Sequence, residues 1–253
     1  MSDSLSAVRF CADSELGYER SRTRFQAGEG LALDETYRLA HLPLVAPAHP
    51  RVIRTREGTS YDMGRHEPVF SLVLPVFADL LFQSPAYREL DREVRAAPFA
   101  GKIAWDVVER RRDKLHATIC GSLSTGAPPL LDPQRLQELR GLGPVRVELR
   151  GLFSGSVNLG RLYLRAYPES RNGENVFRRI QRSLGCRETD LYVVGLYNMT
   201  DDLDAGEAAA LASLIERWWS RSILRFTVDH LWLTGARDDL VLDSTIVASV
   251  PLA

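Results

Sequence analysis

Lys114-Leu115-His116-Ala117-Thr118-Ile119-Cys120-Gly121 sets one imidazole and one hydroxyl two residues apart inside an apolar run. Read as a strand, its period of two sends His116 and Thr118 out of one face and turns Leu115, Ala117 and Ile119 towards a core. A general acid/base and a hydrogen-bond donor are then held side by side on rigid backbone, as the handling of a phosphate requires. Polar pairs on strands also arise for packing reasons alone. The elements around the pair decide which reading stands.

Those elements repeat an arrangement without repeating a sequence. The strand Leu115–Cys120 leads through a Ser/Gly/Pro loop to a helix over Pro133–Leu139 and a strand over Val145–Phe153. The strand Leu191–Asn198 leads through Thr200-Asp201-Asp202 to a helix over Ala205–Arg221 and a strand over Phe226–Leu233. Asp204 and Glu207 stand at capping-box spacing at the start of that helix. His116 corresponds to Gly195 at an offset of 79 residues, and Val147 to Val228 at 81. Between the halves lie a strand over Arg161–Tyr167, a polar loop and a helix over Asn175–Leu184; a strand over Leu240–Val250 closes the chain. The fold class expected is α+β: two strand-loop-helix-strand lobes with antiparallel sheets and a central groove.

Upstream, Phe77 to Arg95 has helical spacing that Pro85 divides in two. A helix over Ile103–Arg112 then enters the charge run Glu109-Arg110-Arg111-Arg112-Asp113, which is either a solvated helix end or the source of a phosphate-facing arginine. Residues 1–66 are weakly periodic and broken by Pro43, Pro47 and Pro50, with a helical turn over Glu35–Ala40 and a short strand over Arg51–Arg54. They read as an N-terminal extension on a main domain of residues 67–253, either as a packing arm or as a contributor to the site.

Composition narrows the function. The chain has 32 basic and 33 acidic side chains in 253 residues, so no basic surface points to duplex nucleic acid. An anion must be held by local arginines rather than by a global field. Cys11, Cys120 and Cys186 form no CxxC pair, so neither a disulfide framework nor a zinc site is expected, and a reducing cytoplasm fits. Met1 to Ala7 lacks the features of a secretory signal, and the longest apolar run, Val69 to Phe82, is too short and interrupted to span a membrane. No glycine fingerprint of a dinucleotide fold and no GxxxxGK[ST] loop occurs.

With His116-Ala117-Thr118 on a strand, followed by loop, helix, strand, strand, helix and a second motif strand, the chain resembles the two-histidine (2H) phosphoesterase superfamily, which includes RNA 2′,3′-cyclic phosphodiesterases. The likeness covers roughly Asp113 to Leu252. It implies two H-x-T or H-x-S motifs facing each other across a groove. One histidine takes the proton of the attacking oxygen, the other protonates the leaving oxygen, and the hydroxyls hold the phosphoryl oxygens without a metal. In Tyr192-Val193-Val194-Gly195-Leu196-Tyr197-Asn198-Met199, however, Gly195 and Tyr197 stand where the second His and Thr belong.

The catalytic candidates are therefore His116, Thr118 and Tyr197, the last as a hydrogen-bond donor on the motif face. Ligand-binding candidates are Arg150, Tyr163, Arg165 and His230; the first three lie on polar strand faces that also include Arg146. His41, His49 or His66 could restore a second imidazole, with His66, beside Arg65, the best placed. No cofactor and no metal are expected. The expected function is a metal-independent phosphodiesterase or cyclic phosphodiesterase acting on a small phosphate ester, a nucleotide or a short RNA end. The alternative is an inactive 2H-fold module that binds a ligand or a protein partner.

Overall fold

A computed structural model describes residues 8–156 and 158–253; Met1 to Ala7 lie outside the described residues. The arm carries three short helices, α1 (Tyr18–Ser21), α2 (Glu35–Ala40) and α3 (Leu42–Val45). The segment expected as a strand at Arg51–Arg54 is irregular after a turn at Arg51, and Arg54 O accepts from Met63 N across the loop that follows. β1 (Arg65–Pro75) follows, beginning two residues before the expected start of the main domain. Pro85 divides α4 (Ala78–Gln83) from α5 (Pro85–Ala96), and α6 (Trp105–Arg110) precedes β2 (His116–Thr125).

The rest of the chain runs α7 (Pro133–Arg140), β3 (Val145–Ser154), β4 (Arg161–Pro168), the small hairpin β5 (Ser170–Arg171) and β6 (Glu174–Asn175), α8 (Val176–Ser183) and β7 (Val193–Asn198). It ends with α9 (Ala205–Trp218), β8 (Ser222–Val228), β9 (His230–Asp238) and β10 (Ser244–Pro251). Asp204 caps α9 through Glu207 N, and Glu207 bonds back to Asp204 N, so the capping box forms as its spacing predicts.

The fold is α+β, built on one antiparallel eight-stranded sheet of order β10-β9-β1-β2-β7-β4-β3-β8. Its centre is its weakest seam: β2 and β7 share the single register pair Ala117↔Val194. The sheet therefore divides into two four-stranded lobes with the two motif strands at the junction.

The lobes are not the contiguous halves expected. β3, expected in the lobe of His116, pairs with β4 and β8, whereas β9 pairs with β1 and β10 beside β2. The segment Phe226–Leu233, expected as one strand, is two that belong to different lobes. Phe226 and Val228 are buried on one phase and Leu231 and Leu233 on the other, so the alternation slips at Asp229–His230. A slip of one residue turns every later side chain to the opposite face. A run scored only by its apolar content hides it. At the chain's end, Asp238 accepts from the N–H groups of Leu240, Leu242 and Asp243, holding a turn where the expected strand would have begun.

Packing is tight where strands meet helices. Gly151, at φ +38° in a bulge of β3, lies so close to Trp218 O that a Cβ would sit 2.2 Å from it. No side chain fits there. Among the described residues, no helix is long and apolar enough to cross a membrane.

Candidate active site

His116 and Thr118 leave β2 on the face opposite Ala117 and Ile119, which are buried. They line a cavity of about 260 Å³ together with His41, His66, Ser71, Asn158, Arg161 and Thr234. A second space of about 230 Å³ opens from the same two residues towards Arg111, Arg161, Tyr163, Gly195 and Asp239. The groove expected between the lobes thus exists, and His116 stands at its middle.

The protonation state of His116 follows from one contact. Its Nδ1 lies 2.7 Å from Lys114 O, an atom that only accepts, so Nδ1 carries the proton and Nε2 keeps a lone pair. Burial, reinforced by Arg111 and Arg161 and opposed by the Lys114 bond, holds its pKa down to about 4. At neutral pH His116 is therefore the neutral imidazole, a weak base whose Nε2 offers its lone pair to the groove. Thr118, exposed to the groove, supplies a hydroxyl beside it.

Cationic charge comes from two arginines. Arg111, at the C-terminal end of α6, is 2% exposed and donates from Nη1 to Asn198 Oδ1 at 3.1 Å and from Nη2 to Gly195 O. Arg161, at the start of β4, donates from Nη1 to Asp239 O at 3.0 Å and lies 3.5 Å from His41 Nε2. Neither guanidinium pairs with a carboxylate among the described residues, and the Nε atoms of both are buried without partners. A guanidinium stays protonated at any working pH and is suited to grip an oxyanion. Two of them face one small space that Asp239 also lines, and their own hydrogen-bond partners there are neutral acceptors.

Gly195 is explained by Arg161. A Cβ at residue 195 would lie 2.1 Å from Arg161 Nη2 and 2.4 Å from its Cζ and Nε. The guanidinium occupies the space a side chain of the second motif would need. Where the resemblance led to the expectation of a second histidine, the Arg161 side chain reaches in from the neighbouring strand.

Two histidines of the N-terminal part do reach the groove. His41 is fully buried, stacked 5.0 Å from Tyr37, with its Nδ1 unpartnered; burial and then Arg161 lower its pKa to about 3, so it is neutral. His66 is the opposite case. Its Nδ1 lies 2.6 Å from Glu67 O and its Nε2 3.3 Å from Asp239 Oδ1, and both acceptors are satisfied at once only by an imidazolium. The bond to Asp239 accordingly raises its pKa. Burial pushes the Asp239 carboxyl up, but His66, His41 and Tyr61 outweigh it and bring it down to about 2. His49 pairs with Asp201 and lies outside these cavities.

Of the other candidates, only Tyr163 joins His116 and Thr118. The Tyr197 hydroxyl donates to Asp91 Oδ1 at 2.9 Å and its ring packs on Trp105, so it faces α5 and α6 rather than the groove. Burial also raises its pKa well above that of a free phenol, which removes it as an acid near neutral pH. Arg150 is held by Glu148 and stacks 4.2 Å from the Tyr167 ring. Arg165 is fully buried, bonded to Tyr167 and to Trp219 O, with its guanidinium 3.7 Å from the Trp219 ring. His230 pairs with Asp229 at 2.6 Å, next to Phe77. These four tie the fold together away from the groove. Arg161 escapes a reading of the sequence because it opens its strand, where no alternation marks a face. Arg111 is visible there only as one of three consecutive arginines.

Fold and site together define an α+β protein whose sheet seam carries a neutral histidine, a threonine and two guanidiniums that pair with no carboxylate among the described residues. No family model matches the chain, and no curated protein matches it. Among solved structures it is similar to TT0787 of Thermus thermophilus, at 12% identity over 73% of this chain and 97% of that one, with a TM-score of 0.39. So loose a superposition carries no argument, and the reading rests on this chain's own strand order and side chains.

Proposed function

We propose that this chain is a 2H-type phosphoesterase with a rewritten second motif, and that it hydrolyses a phosphodiester without drawing on a metal. One observation carries the reading: the lone pair of His116 and the Thr118 hydroxyl share a groove with two guanidiniums that have no carboxylate partners among the described residues. A phosphodiester oxygen placed against Arg111 and Arg161 would have its charge balanced, which in other phosphoryl-transfer sites is the task of a metal. His116 Nε2 takes a proton from water as its oxygen forms the new bond to phosphorus, while one ester P–O bond breaks and its oxygen leaves with the electron pair. Thr118 donates to a phosphoryl oxygen, and the guanidiniums stabilise the charge that spreads over the others. The resemblance implies a nucleotide or a short RNA end as the ester.

The test is turnover of a panel of phosphodiesters, 2′,3′-cyclic nucleotides among them, in EDTA. Hydrolysis that His116→Ala abolishes is the expected result. No turnover of any member, or turnover that His116→Ala leaves intact, refutes the reading. A second reading is favoured by Arg161 standing where an acid would be required: the groove binds a phosphate ester and does not turn it over. Nucleotides would then raise the melting temperature by mass action with no product formed.

A further inference from the structure

A third space meets the groove at His116. It measures about 270 Å³ and lies between Trp232 of β9 and Ile246 of β10, with Val241 and Thr234 along its floor. His116, Thr234 and Val241 also line the hydroxyl-bearing cavity, so one ligand can occupy both. Most of the accessible wall is the apolar surface of Trp232, Val241 and Ile246, with Asp113, Lys114 and Ser244 also lining it. Lys114 at the rim has its ammonium bonded to Leu242 O at 2.9 Å. Ile246 is 50% exposed with nothing packed over it in the isolated chain. The two guanidiniums lie on one side of His116 and this apolar chamber on the other, which is the layout for a phosphate ester bearing a flat, apolar substituent.

The acid side of the reaction points the same way. His116 enters as a neutral base. Both ring nitrogens of His66 are committed, to Glu67 O and to Asp239. His41 is neutral, and the Tyr197 hydroxyl is bonded to Asp91. Where the second motif would place a proton donor stands Arg161, which gives up no proton. An alkoxide leaves poorly without a proton, since alcohols, like water, ionise only far above the neutral range. A phenol ionises near a pKa of about 10 and leaves unaided far more readily.

From the apolar chamber beside His116 and the guanidinium in the place of the second imidazole, we infer that the leaving group is an aryl oxide. This rests on the phosphodiesterase reading and replaces the nucleotide or RNA ester that the resemblance implies, whose leaving group is an alkoxide. The water oxygen forms a bond to phosphorus while His116 Nε2 takes its proton. The bond from phosphorus to the aryl oxygen breaks, and its electron pair departs as the aryloxide. The solvent later protonates the aryloxide and relieves the imidazolium of its proton. A diester and water become a monoester and a phenol.

The experiment is a series of methyl aryl phosphates with phenols of graded acidity, alongside methyl alkyl phosphates and 2′,3′-cyclic nucleotides, on the full chain in EDTA. The expected result is a kcat/KM that climbs steeply with phenol acidity. Alkyl and cyclic esters should be slower by about 100-fold or more, the share a positioned acid would have supplied. Trp232→Ala should raise KM for aryl esters about tenfold with kcat little changed. Ile246→Ser, a change at a half-exposed position that does not endanger folding, should act in the same direction. A flat dependence on phenol acidity, or cyclic nucleotides turned over as fast as aryl esters, overturns the inference while His116-dependent turnover keeps the phosphodiesterase reading. Aryl KM values untouched by both variants overturn the chamber assignment. Absence of His116-dependent turnover for every ester removes both.

Discussion

Gly195→Ala isolates the part that the Arg161 guanidinium plays beside Gly195. The new methyl carbon would stand 2.1 Å from Arg161 Nη2, whereas ordinary contact begins at 3.4 Å, so the guanidinium must withdraw by about 1.3 Å. Withdrawal breaks its 3.0 Å bond to Asp239 O and its contact with His41. A lost charge-assisted hydrogen bond to a bound anion is worth about 1.5–3 kcal/mol, or roughly 10- to 150-fold in affinity. Stability should fall by about 0.5–2.5 kcal/mol, because losing the bond to Asp239 O costs about 1.5–3 kcal/mol and the restriction of the unfolded chain by alanine returns only about 0.4–1 kcal/mol. Calorimetric titration of inorganic phosphate into wild type, Gly195→Ala, Arg161→Ala and the double variant, with a urea melt of each, reads both quantities. The double variant should bind like Arg161→Ala, because the methyl acts only through the guanidinium. Gly195→Ala binding phosphate like wild type, or the two effects adding in full, refutes the reasoning.

Stability should fall in acid through the buried imidazoles. His41 and His116 titrate near 3 and 4 when folded, against an ordinary 6.5, so between these values the unfolded chain binds more protons. Their contribution is complete above pH 6.5 and is lost as the pH falls towards 4 and 3; at pH 5 each costs about 2 kcal/mol. Urea unfolding at pH 7 and pH 5 measures the loss, and His41→Gln should shrink it by about 2 kcal/mol; an unchanged pH dependence in that variant contradicts the assignment. Tyr197→Phe should cost about 1 kcal/mol of stability through its bond to Asp91 and leave phosphate binding and turnover intact; a large loss of turnover would return Tyr197 to the groove. Asp239→Asn removes the partner that keeps His66 charged, so the imidazole titration of His66, followed by NMR, should move down towards 6.5. A titration that stays put would show that Asp239 does not set it.

Local chemistry was legible from local sequence. The alternation through Leu115–Ile119 placed His116 and Thr118 on one face, the Asp204–Glu207 spacing marked a helix start, and Pro85 marked a helix division. Each depends on neighbours within a few residues, and those interactions form the same way in any surroundings. The misread segment Phe226–Leu233 shows the limit. Its apolar content is continuous, while its change of phase at Asp229 has meaning only once β8 joins β3 and β9 joins β1.

The sequence by itself determined that this is an α+β chain and that one strand carries a histidine–threonine pair beside a degenerate second strand. It also set the absence of a glycine fingerprint and the balance of charge, since these are properties of composition and short-range periodicity. The tertiary structure alone decided what stands at the empty position of the second motif. Arg161 lies 34 residues before Gly195, Arg111 84 residues before it, and His41 and His66 far upstream. A guanidinium is identical whether it ends in solvent, against Trp219 as Arg165 does, or over Gly195 as Arg161 does. Its role depends on which carboxylates the fold brings near it, and for Arg111 and Arg161 the fold brings none into contact among the described residues.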